Sequence, residues 1–230
     1  MNAKRRLKTR GYVVLYDAIP DPMSECLLAM SKNEQNFWIH ETWDGVVQDD
    51  YRVRAFAANN DAEILSEYFE RHYRTFFPLA TSTQWRFLKA SSGAKDQPVR
   101  REFATTRDGV VTANVCAVSG SITIALQDRT YVYGYGWNIH VAMRSNHRII
   151  ELNKGDVLLP RGDFAFSFAG STSTSVCIQG HVDTPLYHRT TFPEPEMVDL
   201  VDDMCDIDDL FCLYGTVRPG GVTTKCFEST

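Results

Sequence analysis

The sequence predicts a mainly β chain, a jelly-roll-like pair of sheets braced by helices near the N-terminus. Three observations point there. Short β-branched and aromatic runs recur from residue 84 onward, separated by turns bearing Gly, Asn and Asp. Two helical patterns precede them, an order that suits helices packed on one face of a β body. The aromatic share is 12%, with 13 Phe and 10 Tyr, which favours a sheet-rich core. At 230 residues, with 43% hydrophobic and 23% charged residues, the chain buries a core without needing disulfides or metal.

The net charge of −5 argues against a general nucleic-acid-binding surface. No apolar run approaches the ~20 residues of a membrane span. Residues Met1 to Lys8 have no apolar stretch behind their charges and do not read as a secretory signal. The six Cys, at 26, 116, 177, 205, 212 and 226, show no C-x-x-C pairing. They read as thiols of a reducing compartment, so the expected location is intracellular and soluble: cytoplasm, nucleus or a larger particle.

In chain order, residues 1–10 form a basic arm with Lys4, Arg5, Arg6, Lys8 and Arg10, expected to be solvated and frayed. Gly11 to Tyr16 reads as a strand, and Met23 to Met30 as a short helix behind the turn Ile19-Pro20-Asp21-Pro22. Asp61 is a plausible N-cap for an amphipathic helix to about Phe77, with Ile64, Leu65, Tyr68, Phe69, Tyr73 and Phe76 at helical spacing and Pro78 behind. Strands are predicted at 85–89, 110–126, 131–135, 148–152, 156–159, 164–168 and 175–182. The body then spans 11–190, and 191–230 is an acidic extension. Asp199 to Asp209 holds six Asp, and Leu200, Val201, Met204 and Ile207 lie among them at helix-like spacing. The pattern predicts an acidic amphipathic helix from Asp199 to Phe211 that docks on the body or a partner.

One segment is specific enough to suggest a family. Leu152-Asn153-Lys154-Gly155-Asp156-Val157-Leu158-Leu159-Pro160-Arg161-Gly162-Asp163 resembles the penultimate strands of the iron(II)- and 2-oxoglutarate-dependent oxygenases. Val176 to Asp183 is similar to the strand that follows there. Upstream, Trp85 to Lys89 and then Gln97-Pro98-Val99-Arg100-Arg101-Glu102-Phe103 resemble the family's strand, loop and H-x-D segment, and Ile122 to Asp128 the strand after it. The resemblance runs from about Gly11 to Asp183 and implies a double-stranded β-helix, the jelly-roll or cupin-like fold.

Such an enzyme holds Fe(II) with two His and a carboxylate, and holds the far carboxylate of 2-oxoglutarate with an Arg. On this alignment the first His position is Arg100, the carboxylate position Glu102, the distal His position Phe166 and the co-substrate Arg position Cys177. A guanidinium has no lone pair for a metal, and a phenyl ring offers none. The resemblance therefore implies a scaffold degenerate at its metal and co-substrate positions. Arg100 and Glu102 are expected to form an ion pair in the barrel mouth or to be solvated. Phe166 is expected to point inward, with Ala165 and Ser167 facing the other way.

The remaining candidates read more plainly. His181-Val182-Asp183 is a literal H-x-D, but it lies at the end of the last β-like segment and reads as a strand end. His140 and His147 read as surface residues. Cys116 and Cys177 read as small buried residues. Tyr131, Tyr133, Tyr135 and Trp137 pack a Gly-rich strand or form a contact surface. P-loop and G-x-S-x-G motifs are absent.

The function expected from these readings is a non-catalytic pseudo-oxygenase scaffold, a binding or structural subunit of an assembly, without a cofactor. Protein neighbours are its expected partners, and nucleic acid only through the basic arm. The alternative is an active Fe(II)/2-oxoglutarate dioxygenase with non-standard ligands among His140, His147, His181 and Asp183. A second alternative is a metal-free, cupin-like small-molecule binder.

Overall fold

A computed structural model describes residues 3–43, 46–47, 49–103, 119–185, 187 and 195–202. Helices α1 (Ala3–Arg10), α2 (Asp21–Ser31) and α3 (Asn59–Tyr73) lie in its first third. The early strands are β1 (Tyr12–Leu15), β2 (Ile39–His40), β3 (Thr42–Trp43), β4 (Val46–Val47) and β5 (Arg52–Phe56). The next are β6 (Thr81–Ala90), β7 (Arg100–Arg101), β8 (Gly120–Ala125), β9 (Thr130–Trp137), β10 (Val141–Met143) and β11 (Arg148–Leu152). Then follow β12 (Val157–Pro160), β13 (Phe164–Phe168), β14 (Ser175–Asp183), β15 (Glu196–Met197) and β16 (Asp199–Val201).

Two antiparallel sheets face each other. The major sheet runs β1-β12-β8-β14-β6-β5-β2, and the minor sheet β11-β9-β13-β7-β15. From β6 to β9 and again from β11 to β15, successive strands alternate between the two sheets, which is the wiring of a double-stranded β-helix. Period-two alternation explains both faces of the major sheet. Trp85 and Phe87 on β6, with Ile178 and Val182 on β14, join Leu65, Phe69 and Tyr73 of α3 in an outer core. Leu88 and Cys177 turn the other way and meet Phe164, Phe166 and Phe168 of β13 between the sheets. The buried stripe of α3, at i, i+4 and i+8, is the amphipathic pattern predicted for it. Trp85 lies 5.3 Å from the Phe69 ring and donates from Nε1 to Ser66 Oγ at 2.9 Å. Gly180 makes room for it, since a Cβ there would fall 2.8 Å from the indole. Gly155 has φ +87° and Asp156 accepts from the Asp17 and Asn153 amides at 2.9 Å, so the Gly-Asp pair ties β12 to the turn before α2.

The structure departs from the sequence reading in four places. Residues 3–10 form helix α1, anchored by buried Leu7, where a frayed arm was expected. Helix α3 starts at Asn59 behind Ala58, not behind an Asp61 cap, and ends at Tyr73. Strands β2 to β5 were not foreseen. Asp199 opens a strand, not a helix: β16 pairs in parallel with β10, and Val201 is buried. Three alternating residues suffice for that edge, and β10 supplies its backbone partners. Met204, Ile207 and Phe211 lie outside the described residues, as do residues 104–118 with Cys116. No described helix is long and apolar enough to cross a membrane.

Candidate functional site

The space between the sheets changes from apolar to polar along its length, and the polar part is built by alternation. Arg86 sits on β6 between Trp85 and Phe87, so it faces inward where they face out. Gln179 occupies the same kind of position on β14. Arg100 comes from β7, directly across from Phe166 on β13. All are buried: Arg100 is 1% exposed and Glu102 6%.

Glu102 is the hub. Arg100 Nε lies 3.5 Å from its Oε1, and Arg86 Nη2 3.5 Å from its Oε2. Gln179 donates from Nε2 to Glu102 Oε1 at 3.3 Å and accepts at Oε1 from Arg86 Nε at 2.9 Å. Arg100 donates from Nη1 to Gln97 Oε1 at 2.5 Å, and Gln97 Nε2 donates to Glu41 Oε2 at 2.5 Å. The Arg100 guanidinium also stands over the rings of Phe166 and Phe168, 4.8 and 5.5 Å from their centroids. Burial lowers the Arg100 pKa and Glu102 opposes the shift. The inward Phe166 and the outward Ala165, which packs with Val99 and Ala142, match the sequence expectation.

His181 is not a plain strand end. It is 1% exposed, and its Nδ1 approaches Glu102 Oε2 at 3.8 Å with the Phe103 ring edge-on at 6.2 Å. Asp183 accepts from Thr83 Oγ1 at 2.9 Å. His140 and His147 are exposed and away from this network.

Toward the other end of the barrel, a small cavity of about 30 Å3 opens to solvent, lined by Glu41, Arg52, Leu88, Gln97, Phe168 and Cys177 among others. Burial, reinforced by Glu41, pushes the Cys177 thiol up to about 12, so it is a neutral wall. Arg52 of β5 stands in the same cavity. Its Nη2 donates to the carbonyls of Lys95 and Ala169, both at 2.7 Å, and its Nε to Lys95 at 3.2 Å. Nη1 makes no hydrogen bond among the described residues. Burial lowers the Arg52 pKa, opposed by Glu41 and Asp49.

This two-sheet wiring has solved counterparts. HygX from Streptomyces hygroscopicus, with nickel, 2-oxoglutarate and hygromycin B bound, superposes with a TM-score of 0.59 at 11% identity over 87% of this chain and 96% of that one. The epimerase SnoN, in complex with Fe3+, α-ketoglutarate and nogalamycin RO, gives 0.55 at 12% identity over 87% and 95%. A Pseudomonas putida prolyl-4-hydroxylase gives 0.55 at 12% identity over 78% and 96%. The fold is that of the iron- and 2-oxoglutarate-dependent oxygenases. No protein-family model and no curated protein matches the sequence.

These neighbours correct one expectation. A protein without cofactor was expected, yet HygX holds nickel and 2-oxoglutarate and SnoN holds Fe3+ and α-ketoglutarate. Cofactors belong to this fold. The residues of this chain fit 2-oxoglutarate and iron unequally. At the iron position Glu102 and His181 bring two donors within 3.8 Å, but no third metal-ligating side chain joins them among the described residues. Two guanidiniums already lie against Glu102, and a divalent cation would meet their charge. As arranged, the described residues do not fit the metal. For the dicarboxylate, by contrast, Arg52 offers a buried cation beside Cys177.

Of the other residues singled out in the sequence, Tyr131 lines the cavity beside Arg52. Tyr133 meets His147 edge-on at 5.3 Å, and Tyr135 packs with Leu200 against the minor sheet. The Arg161 guanidinium lies 4.1 Å over Trp137. Sequence reasoning missed Glu41, Arg52, Arg86, Gln97 and Gln179. For Arg86 and Gln179 the signal was present, a polar residue at every second place in an apolar strand. For Arg52 it was not, because β5 reads as a polar stretch.

Proposed function

We propose that the barrel binds a small dicarboxylate of the 2-oxoglutarate class, with Arg52 receiving its terminal carboxylate. The observation that supports this is the position of the Arg52 guanidinium. It lines the same cavity as Cys177, where the resemblance calls for a carboxylate-binding Arg, and while its Nε lies 3.5 Å from Asp49 Oδ2, its Nη1 makes no hydrogen bond among the described residues. A guanidinium can take a carboxylate in a forked pair, and Gln97 stands beside it to position a second oxygen. Solved neighbours that hold 2-oxoglutarate support the ligand class.

The second reading is an Fe(II)/2-oxoglutarate oxygenase with a non-standard centre, favoured by the approach of His181 to Glu102. One experiment addresses both. Thermal unfolding is followed with 2-oxoglutarate, with Mn(II), and with the two together. Ligand at 100 times its dissociation constant adds about 2.7 kcal/mol, hence roughly 5–10 °C for a chain of this size. Arg52→Met should abolish the 2-oxoglutarate shift. A Mn(II) shift that needs 2-oxoglutarate and is lost in Glu102→Gln favours the oxygenase. No shift with 2-oxoglutarate in any combination ends the proposal.

A further inference from the structure

A second concave site lies on the other side of the molecule. An open groove of about 400 Å3 runs between the end of α1 and strands β9 and β11, lined by Arg10, Tyr12, Tyr135, Trp137, Asn146 and Arg148 among others. Its floor is aromatic and held in place. Tyr12 packs on Phe164 with ring centroids 5.1 Å apart. Trp137 is fixed from one side by Arg161, which Asp163 locks with two bonds of 2.9 and 2.8 Å. Gly136 adds no side chain, and a Cβ there would find nothing closer than 3.8 Å.

The rim is basic. Arg10 and Arg148 are exposed and make no ion pair among the described residues, whereas nearby Arg144 is paired to Asp202 at 2.7 Å. No carboxylate lines the groove, in a chain whose net charge is −5. Lys4, Arg5 and Lys8 extend the positive field along the exposed face of α1. Rings below and guanidiniums above suit one kind of occupant. A planar ring stacks on Tyr and Trp, and a phosphate takes charge-assisted bonds from Arg. A rigid floor lowers the ordering cost of binding.

We propose that this groove is a binding site for a phosphate-bearing aromatic ligand of nucleoside monophosphate size, separate from the barrel cavity. The ring lies over Tyr12 and Tyr135 beside Trp137, and the phosphate sits between Arg10 and Arg148. The site is independent of the 2-oxoglutarate reading, since the two share no lining residue.

Calorimetric titration of the full chain tests it with AMP, adenosine, phenyl phosphate and inorganic phosphate as probes. AMP should bind at least tenfold tighter than adenosine or inorganic phosphate, with phenyl phosphate between them. The R10Q/R148Q double variant, changed only at exposed side chains, should lose at least tenfold for AMP while its melting temperature is unchanged. Saturating 2-oxoglutarate should leave AMP binding as it was. AMP no tighter than inorganic phosphate, full affinity in R10Q/R148Q, or displacement by 2-oxoglutarate would each overturn the proposal. A ten-nucleotide single strand binding a hundredfold tighter than AMP would also overturn it, in favour of a strand-binding surface.

Discussion

Glu102→Gln should damage this protein more than Arg100→Met, although both break the same ion pair. The reason is that Glu102 is shared. With the carboxylate neutralised, Arg86 and Arg100 remain as two buried cations that have lost the counter-charge they share among the described residues. Breaking a buried pair by removing one partner costs about 3–5 kcal/mol. Removing Arg100 instead leaves Glu102 with Arg86 at 3.5 Å and the Gln179 amide at 3.3 Å, so the stranded charge is still met. Arg100→Met also forfeits the stacking on Phe166 and Phe168, about 1–2 kcal/mol, while methionine refills part of the volume. The expected losses are about 4 kcal/mol for Glu102→Gln and about 2 for Arg100→Met. At about 2–4 °C per kcal/mol for this length, Glu102→Gln should lower the melting temperature by roughly 8–16 °C. Urea unfolding of both single variants and the double variant is the assay. The double variant should lose less than the sum, with a coupling of about 1–3 kcal/mol. Arg100→Met as the more harmful change, or strict additivity, would refute the shared-carboxylate argument.

Two further predictions concern titrating groups. Cys177, held up to about 12 by burial, should resist iodoacetamide in the native state while exposed Cys26 reacts, as peptide mass mapping will show. Because its folded pKa is raised, the unfolded chain loses this proton first, and Cys177 should contribute a fall in stability as pH climbs from about 9 toward about 12. His72 is half-buried, and burial lowers its pKa against a weak contact from Nε2 to the Ala18 carbonyl at 3.4 Å. Its stabilising share is present above about pH 6.5 and shrinks as pH falls below that value, so His72→Gln should flatten the urea midpoint between pH 7.5 and pH 5.

Much of the β body was legible because its strands alternate strictly around buried rings. The resemblance placed Arg100 and Phe166 at neighbouring positions of one site, and the structure pairs them across β7 and β13. What escaped has a common cause. Strand β5, Arg52-Val-Arg-Ala-Phe, alternates charge with apolar residues, and the contacts that bury Arg52 include ones distant in sequence. Lys95 and Ala169 take Arg52, and no local pattern announces them. The stretch from Asp199 misled for the opposite reason: three residues are too few to distinguish a period of two from one of 3.6, and six Asp drew the reading toward a solvated helix. His181 looked like a strand end because only the fold shows that Glu102 lies opposite.

The two-residue strand β7 carries Arg100 into the site, and its open edge is closed by β15, where Glu196 faces Arg101 and Met197 faces Arg100. Arg101 forks onto the Glu196 carboxylate, a partner 95 residues further along the chain. During synthesis β7 is therefore made long before the strand that covers it. Until β15 arrives, β7 presents unpaired backbone along one side, a template for any passing strand. Pairings this remote in sequence also form slowly. A chain stopped short of Glu196 would leave that edge of β7 open and Arg101 without this carboxylate partner.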